Sequence, residues 1–167
     1  MGLYIVTAFS GYASFILFYC FLIFIFKKIS PLAFLKKIIN PILLAFSTSS
    51  SAATMPITLK AAEEELKLSK STANFLIPLG TTINMAGTAI WQTTAVMFLS
   101  QVYHIDLGFG EIAFVVATSI GSAIGSPGVP GVGMGILAVV LGRIGIPIEG
   151  ISLILGVDRI VDMGCTV

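Results

Sequence analysis

The stretch GVDRIVDMGCTV, residues 156 to 167, places Asp158 and Asp162 four residues apart in an otherwise apolar segment. At that spacing two side chains share one face of a helix. An aspartate deep in a membrane helix costs about 2.5–3.5 kcal/mol and marks a functional site by default. The competing reading is internal neutralisation by Arg159, which precedes Asp162 by three residues and lies about 60° from it around a helix. Arg159 can also snorkel to an interface. Either accounts for one aspartate, not both.

Three further stretches carry candidate chemistry. SSSAAT (49 to 54) offers hydroxyls and helix N-terminal amides that cradle a carboxylate; a plain turn between two helices is the alternative. NMAGT (84 to 88) offers Asn84, Thr88 and a glycine that lets a helix unwind and present carbonyl oxygens to a hard cation such as sodium. Glycine in a membrane helix also serves packing alone. GSPGVPGVG (125 to 133) holds four glycines and two prolines between apolar flanks. It reads as a mobile gate whose tip closes over a ligand, rather than as a water-exposed loop.

Composition says what must position these residues. Of 167 residues 56% are hydrophobic and only 10% are charged, with a mean hydropathy of +1.03. A soluble domain carries about 25% charged residues, so this chain lacks the polar surface to stand in water. It reads as an all-α integral membrane protein, multi-pass in the cell membrane with lipid as its surroundings. The net charge of +1 leaves no basic stripe for nucleic acid. Cys20 and Cys165, far apart in apolar sequence, form no disulfide or metal pattern, and no cleavable signal peptide is evident. His104 has no nucleophile or metal-ligand spacing around it, so the chain is not read as an enzyme and no cofactor is expected.

Residues 3 to 26 carry no charge and are long enough to span about 30 Å of hydrocarbon. The first transmembrane helix is therefore set at 1 to 28. Seven of the nine basic residues lie between positions 27 and 70, which faces that region to the cytoplasm. Residues 31 to 68 begin and end on that side and are too charged in their second half to cross, so they are expected to form a re-entrant helical hairpin with its tip at 47 to 54. Residues 70 to 103 form a transmembrane helix broken at NMAGT. Residues 107 to 147 form a second re-entrant hairpin, entering from the opposite face with a Gly/Pro tip. Residues 150 to 167 begin the last transmembrane helix. Irregular backbone at membrane depth survives only where protein or water satisfies it, so the two tips and the helix break are expected to meet.

SSSAATMP, PLGTTINMAGTA, SIGSAIGSPGVPGVG and VDRIVDMGCT occur in an order and at a spacing that resembles the dicarboxylate/amino acid:cation symporter family. The resemblance covers nearly the whole chain. It implies a trimeric secondary transporter in which a scaffold carries a mobile, elevator-like transport domain, of which this chain is a partial copy lacking the N-terminal scaffold half. By position, the resemblance implies substrate contacts from Ser50 and Ser51 of the first hairpin, Thr88, Val129 and Gly133 of the gate, and Asp162, Cys165 and Thr166 of the last helix. It implies sodium near the carbonyls of Gly80 and Asn84, and a second ion between Thr82 and the carbonyls of Ala123, Ile124 and Ser126.

Three departures qualify it. The family's sodium-binding aspartate in NMDGT is Ala86 here, which weakens one cation site. The arginine that pairs with an acidic substrate's side chain is Cys165, and Arg159, about 120° away on a helical wheel, points elsewhere. Without the guanidinium fork, a small neutral amino acid becomes the expected substrate, as in family members that carry Cys there. The motif also continues beyond Val167 in the family, so the chain is expected to be a truncated, split or partial product. The reading is sodium-coupled symport of a small amino acid or dicarboxylate. Its alternatives are an inactive membrane remnant and a proton-coupled dicarboxylate symporter.

Overall fold

A computed structural model describes the chain from Met1 to Val167 except Gly125, Pro127 and Pro130, so three residues of the predicted gate lie outside the described residues. The described residues form nine α-helices and one 3-10 turn, with no strand among them. In chain order these are α1 (Gly2–Lys27), α2 (Pro31–Lys37), α3 (Ile39–Thr48), α4 (Ser51–Glu64), α5 (Lys70–Ile83), α6 (Ala86–Val102), α7 (Phe109–Ala123), α8 (Val132–Arg143) and α9 (Ile151–Thr166).

α1 is apolar on every side, the pattern of a helix with no face reserved for water. Its buried residues, Tyr4, Ala8, Tyr12 and Cys20, recur at multiples of four and form one stripe. Along that stripe α1 packs on α6 and α9. The rest of its surface exposes Leu3, Leu17, Phe21 and Phe26. By length and composition α1 can cross a membrane; a second span is reached if α2 and α3 count as one.

The α2–α3 pair is bent by 62°, a break within the first arm of the expected hairpin. Pro41 is the cause. It has no N–H to return to the Lys37 carbonyl, and its ring crowds that carbonyl. α2 accordingly stops at Lys37, and Ile38 bridges to α3 with ψ of 13°.

α6 is the hub, touching α1, α7, α8 and α9. Ala95, Val96 and Leu99 are fully buried at its centre, against Tyr4, Val115, Leu137, Leu141, Ile154 and Val161. α3 and α4 pack as an antiparallel pair, and α4 then packs on α5. The α3–α4 turn falls at Ser49 and Ser50, and the α5–α6 break at Asn84 and Met85. These two irregularities, together with the α7–α8 turn and the end of α9, converge on one cavity.

Candidate functional site

The first hairpin reverses sharply because Ser49 adopts a left-handed conformation (φ 51°), its N–H still bonded to the Ala45 carbonyl at 2.9 Å. Ser50 then caps α4, its Oγ accepting the Ala53 N–H at 3.2 Å. The same hydroxyl donates to the Gly128 carbonyl at 2.9 Å, and the Ala52 N–H donates to that carbonyl at 3.2 Å. The two hairpin tips are thus hydrogen-bonded to each other. Gly128 has no room for a side chain, since a Cβ there would stand 2.9 Å from Ser51 Cβ and 3.3 Å from Met85 Cε.

Ser50→Ala removes the cap and one tip-to-tip bond together. We expect it to cost about 1–2 kcal/mol locally. Amide exchange of Ala52 to Thr54 reads this, with faster exchange confined to the start of α4.

At the helix break neither Asn84 (ψ 60°) nor Met85 (ψ 52°) is helical. The Asn84 N–H still reaches the Gly80 carbonyl at 2.9 Å, and Thr88 N–H bonds the Met85 carbonyl at 3.0 Å. The Asn84 side chain is held by the Tyr19 hydroxyl of α1, with contacts of 2.9 and 3.2 Å. Its main chain is therefore what it can offer a cation. Across the break, α6 meets α9 backbone to backbone: a Cβ on Gly87 would land on the Cys165 carbonyl. Beside that crossing Thr88 Oγ1 lies 3.8 Å from Cys165 Sγ.

The cavity has a volume of about 520 Å³, in the range of small-molecule sites. Ser51, Thr88, Val129, Gly133, Asp162, Cys165 and Thr166 of the expected substrate set line it, as do Gly80, Asn84 and Ser126 of the expected cation set. Ser50 does not; its hydroxyl is committed to Ala53 and Gly128. Nor do Thr82, Ala123 and Ile124. The Thr82 hydroxyl bonds its own helix at the Pro78 and Leu79 carbonyls, 3.2 and 3.0 Å away, while Ala123 is buried and Ile124 faces outward. Of the second cation set, Ser126 is the member that lines this cavity among the described residues.

Asp158 and Asp162 both line the cavity, whereas Arg159 lies on the exposed face of α9 and does not. No Lys, Arg or His occurs among the described lining residues. The wall thus combines two carboxylates with hydroxyls, one thiol and main-chain groups. Asp158 adds something the sequence signalled only through its spacing from Asp162. Its Oδ1 is buried beside the Trp91 Nε1, which also lies near the Tyr4 hydroxyl, and among the described residues none of the three makes a hydrogen bond of regular geometry. Tyr12, Tyr19, Met85 and Met134 also line the cavity. Sequence reasoning missed them because nothing local separates a lining aromatic or Met from a core one.

The model of the sodium:dicarboxylate symporter family matches residues 1–167. The chain belongs to that family. It is 40% identical over 168 residues to neutral amino acid transporter B(0) of Rattus norvegicus, covering 100% of this chain and 30% of that protein. Against the protein of the same name from Homo sapiens it is 40% identical over 144 residues, covering 86% of this chain and 27% of the relative. Excitatory amino acid transporter 3 of Oryctolagus cuniculus is 37% identical over 168 residues, covering 100% of this chain and 32% of that protein. The chain therefore spans about a third of the length of these relatives of the sodium:dicarboxylate symporter family.

Proposed function

We propose that the protein carrying this chain moves a small neutral amino acid across the cell membrane together with sodium, and that this chain supplies the portion that holds substrate and cations. The observation that carries the reading is the wall of the cavity, where two carboxylates face hydroxyls and main-chain groups and no cationic side chain is present among the described lining residues. An amino acid's ammonium group pairs with Asp162. Its carboxylate meets the Ser51 hydroxyl and the amides at the start of α4, with Ser50 joining once its bond to Gly128 opens. Thr88, Cys165 and Thr166 contact a short side chain, and Val129 and Gly133 close over it through their main chain.

Sodium is held by the carbonyls of Gly80 and Asn84. A second ion needs Thr82 to leave its own helix and join Ala123, Ile124 and Ser126. In this reading α1, the broken α5–α6 pair and α9 cross the bilayer, while α2–α4 (31 to 68) and α7–α8 (107 to 147) enter from opposite faces and return. The remaining two thirds of the protein then provide the scaffold and the contacts of a homotrimer, against which this part moves as an elevator.

Uptake into liposomes tests it, with labelled serine and aspartate offered with and without an inward sodium gradient. Sodium-dependent serine uptake is expected; aspartate uptake in preference to serine defeats the reading. Cys165→Arg supplies the missing guanidinium. A charge-assisted fork is worth about 1.5–3 kcal/mol, so the variant is expected to shift preference toward aspartate by about ten- to hundred-fold.

Two observations favour a second reading, proton-coupled dicarboxylate uptake. Asp158 Oδ1 is buried with no hydrogen bond of regular geometry among the described residues, and Ala86 stands where a cation-binding carboxylate is expected. Aspartate uptake driven by an inward proton gradient without sodium selects that alternative.

A further inference from the structure

The corner between α1 and α2 has a charge balance unlike any other part of the chain. Lys27 and Lys28 end α1, Lys36 and Lys37 end α2, and all four are exposed. No Asp or Glu precedes Glu63 in the sequence, so the four lysines have no acidic neighbour along the chain. The other lysine-rich turn differs, because Lys60, Lys67 and Lys70 share the end of α4 and the start of α5 with Glu63, Glu64 and Glu65.

The corner is also well defined. Lys28 takes a left-handed conformation (φ 54°) and closes α1 with an N–H bond to the Phe24 carbonyl at 3.0 Å. Pro31 then opens α2 behind the Ser30 cap. The two lysine pairs stand at opposite ends of α2, about 10 Å apart along its axis. Between and before them Phe26 is 77% exposed and Leu32 72%, with Phe24, Ile25 and Ile29 also uncovered.

We propose that this corner binds the headgroups of anionic phospholipids. The inference rests on the reading of the chain as membrane-embedded. Phe26, Ile29 and Leu32 enter the acyl boundary while the lysine stems extend toward the phosphates, as amphipathic interfacial segments do. An ammonium is a compact charge suited to a phosphodiester. Uncompensated basic clusters beside a membrane helix concentrate anionic lipid, each lysine strengthening the association about five-fold. The α4–α5 turn, with its three glutamates, lacks that surplus.

The test uses the full protein purified in neutral detergent. Native mass spectrometry counts bound phosphatidylglycerol against phosphatidylcholine when both are added in equal amounts. Phosphatidylglycerol is expected to be retained in preference. The quadruple K27Q/K28Q/K36Q/K37Q variant is expected to lose at least ten-fold of that preference. Replacing the same four lysines with Arg keeps it, which separates lost charge from lost folding. The control K67Q/K70Q leaves it unchanged. Equal retention of the two lipids, or an equal loss in the control, overturns the proposal. Displacement of phosphatidylglycerol by millimolar inorganic phosphate overturns it too, since the corner would then be a free-anion site. Because the readout is bound lipid, it stands apart from the uptake assay: transport of either amino acid leaves the lipid result open, and the reverse.

Discussion

If Asp162 pairs with the substrate ammonium as proposed, Asp162→Asn is expected to reduce serine affinity by about 30- to 4,000-fold, because a desolvated charge pair loses about 2–5 kcal/mol when one member is neutralised. The side chain keeps its volume and its place on the cavity wall, so the loss measures charge. The neighbouring geometry supports this, since α9 is held through Val161, which is fully buried one residue earlier, and not through the carboxylate. Serine binding followed calorimetrically on purified protein reads the change, with Asp106→Asn, an exposed carboxylate remote from the cavity, as the control. Retained binding in the Asp162 variant would move the ammonium contact to Asp158.

The second large effect concerns the crossing of α6 and α9. Gly87→Ala puts a methyl group onto the Cys165 carbonyl. The obstacle is backbone, which cannot swing aside as a side chain can. The expected cost is at the upper end of overpacking, about 3 kcal/mol, or a fall in Tm of about 6–12 °C for a chain of this size. Gly135 in α8 provides the opposite case. It is exposed and a Cβ there meets nothing within 4 Å, so Gly135→Ala is expected to stabilise by about 0.5–1 kcal/mol through helix propensity alone. A thermal melt of both variants separates the two. An unchanged Tm for Gly87→Ala would mean that the helices slide apart without penalty.

These contrasts mark how far the sequence could be read. The helical character of the chain and the interruptions at Ser49–Ser50 and Asn84–Met85 follow from local chemistry, namely hydroxyl runs, glycine and uncharged apolar stretches. The shared face of Asp158 and Asp162 follows from helical periodicity, and both do line the cavity. The bend at Ile38 had a local signal in Pro41, but its size is a tertiary property. Other features had no local signal at all. That Tyr19 holds the Asn84 amide depends on how α1 lies across the break, 65 residues away in sequence. That the Ser50 hydroxyl is spent on Ala53 and Gly128 depends on two hairpins meeting. Thr82 could not be known to bond its own helix, since a helical threonine faces its preceding turn or its neighbours with equal ease.

The two bonds to the Gly128 carbonyl have a kinetic meaning. On the proposed reading, Ser50 O–H and Ala52 N–H are donors that a bound carboxylate would use, and the Gly128 carbonyl of the second tip already occupies them. The second tip therefore acts as an intramolecular competitor, present at the high effective concentration that tethering confers. A ligand carboxylate gains only the difference between its own bonds and those it displaces, and its apparent affinity is reduced by the fraction of molecules whose tips are parted. Under the proposed transport, entry of substrate and parting of the two tips would be one event.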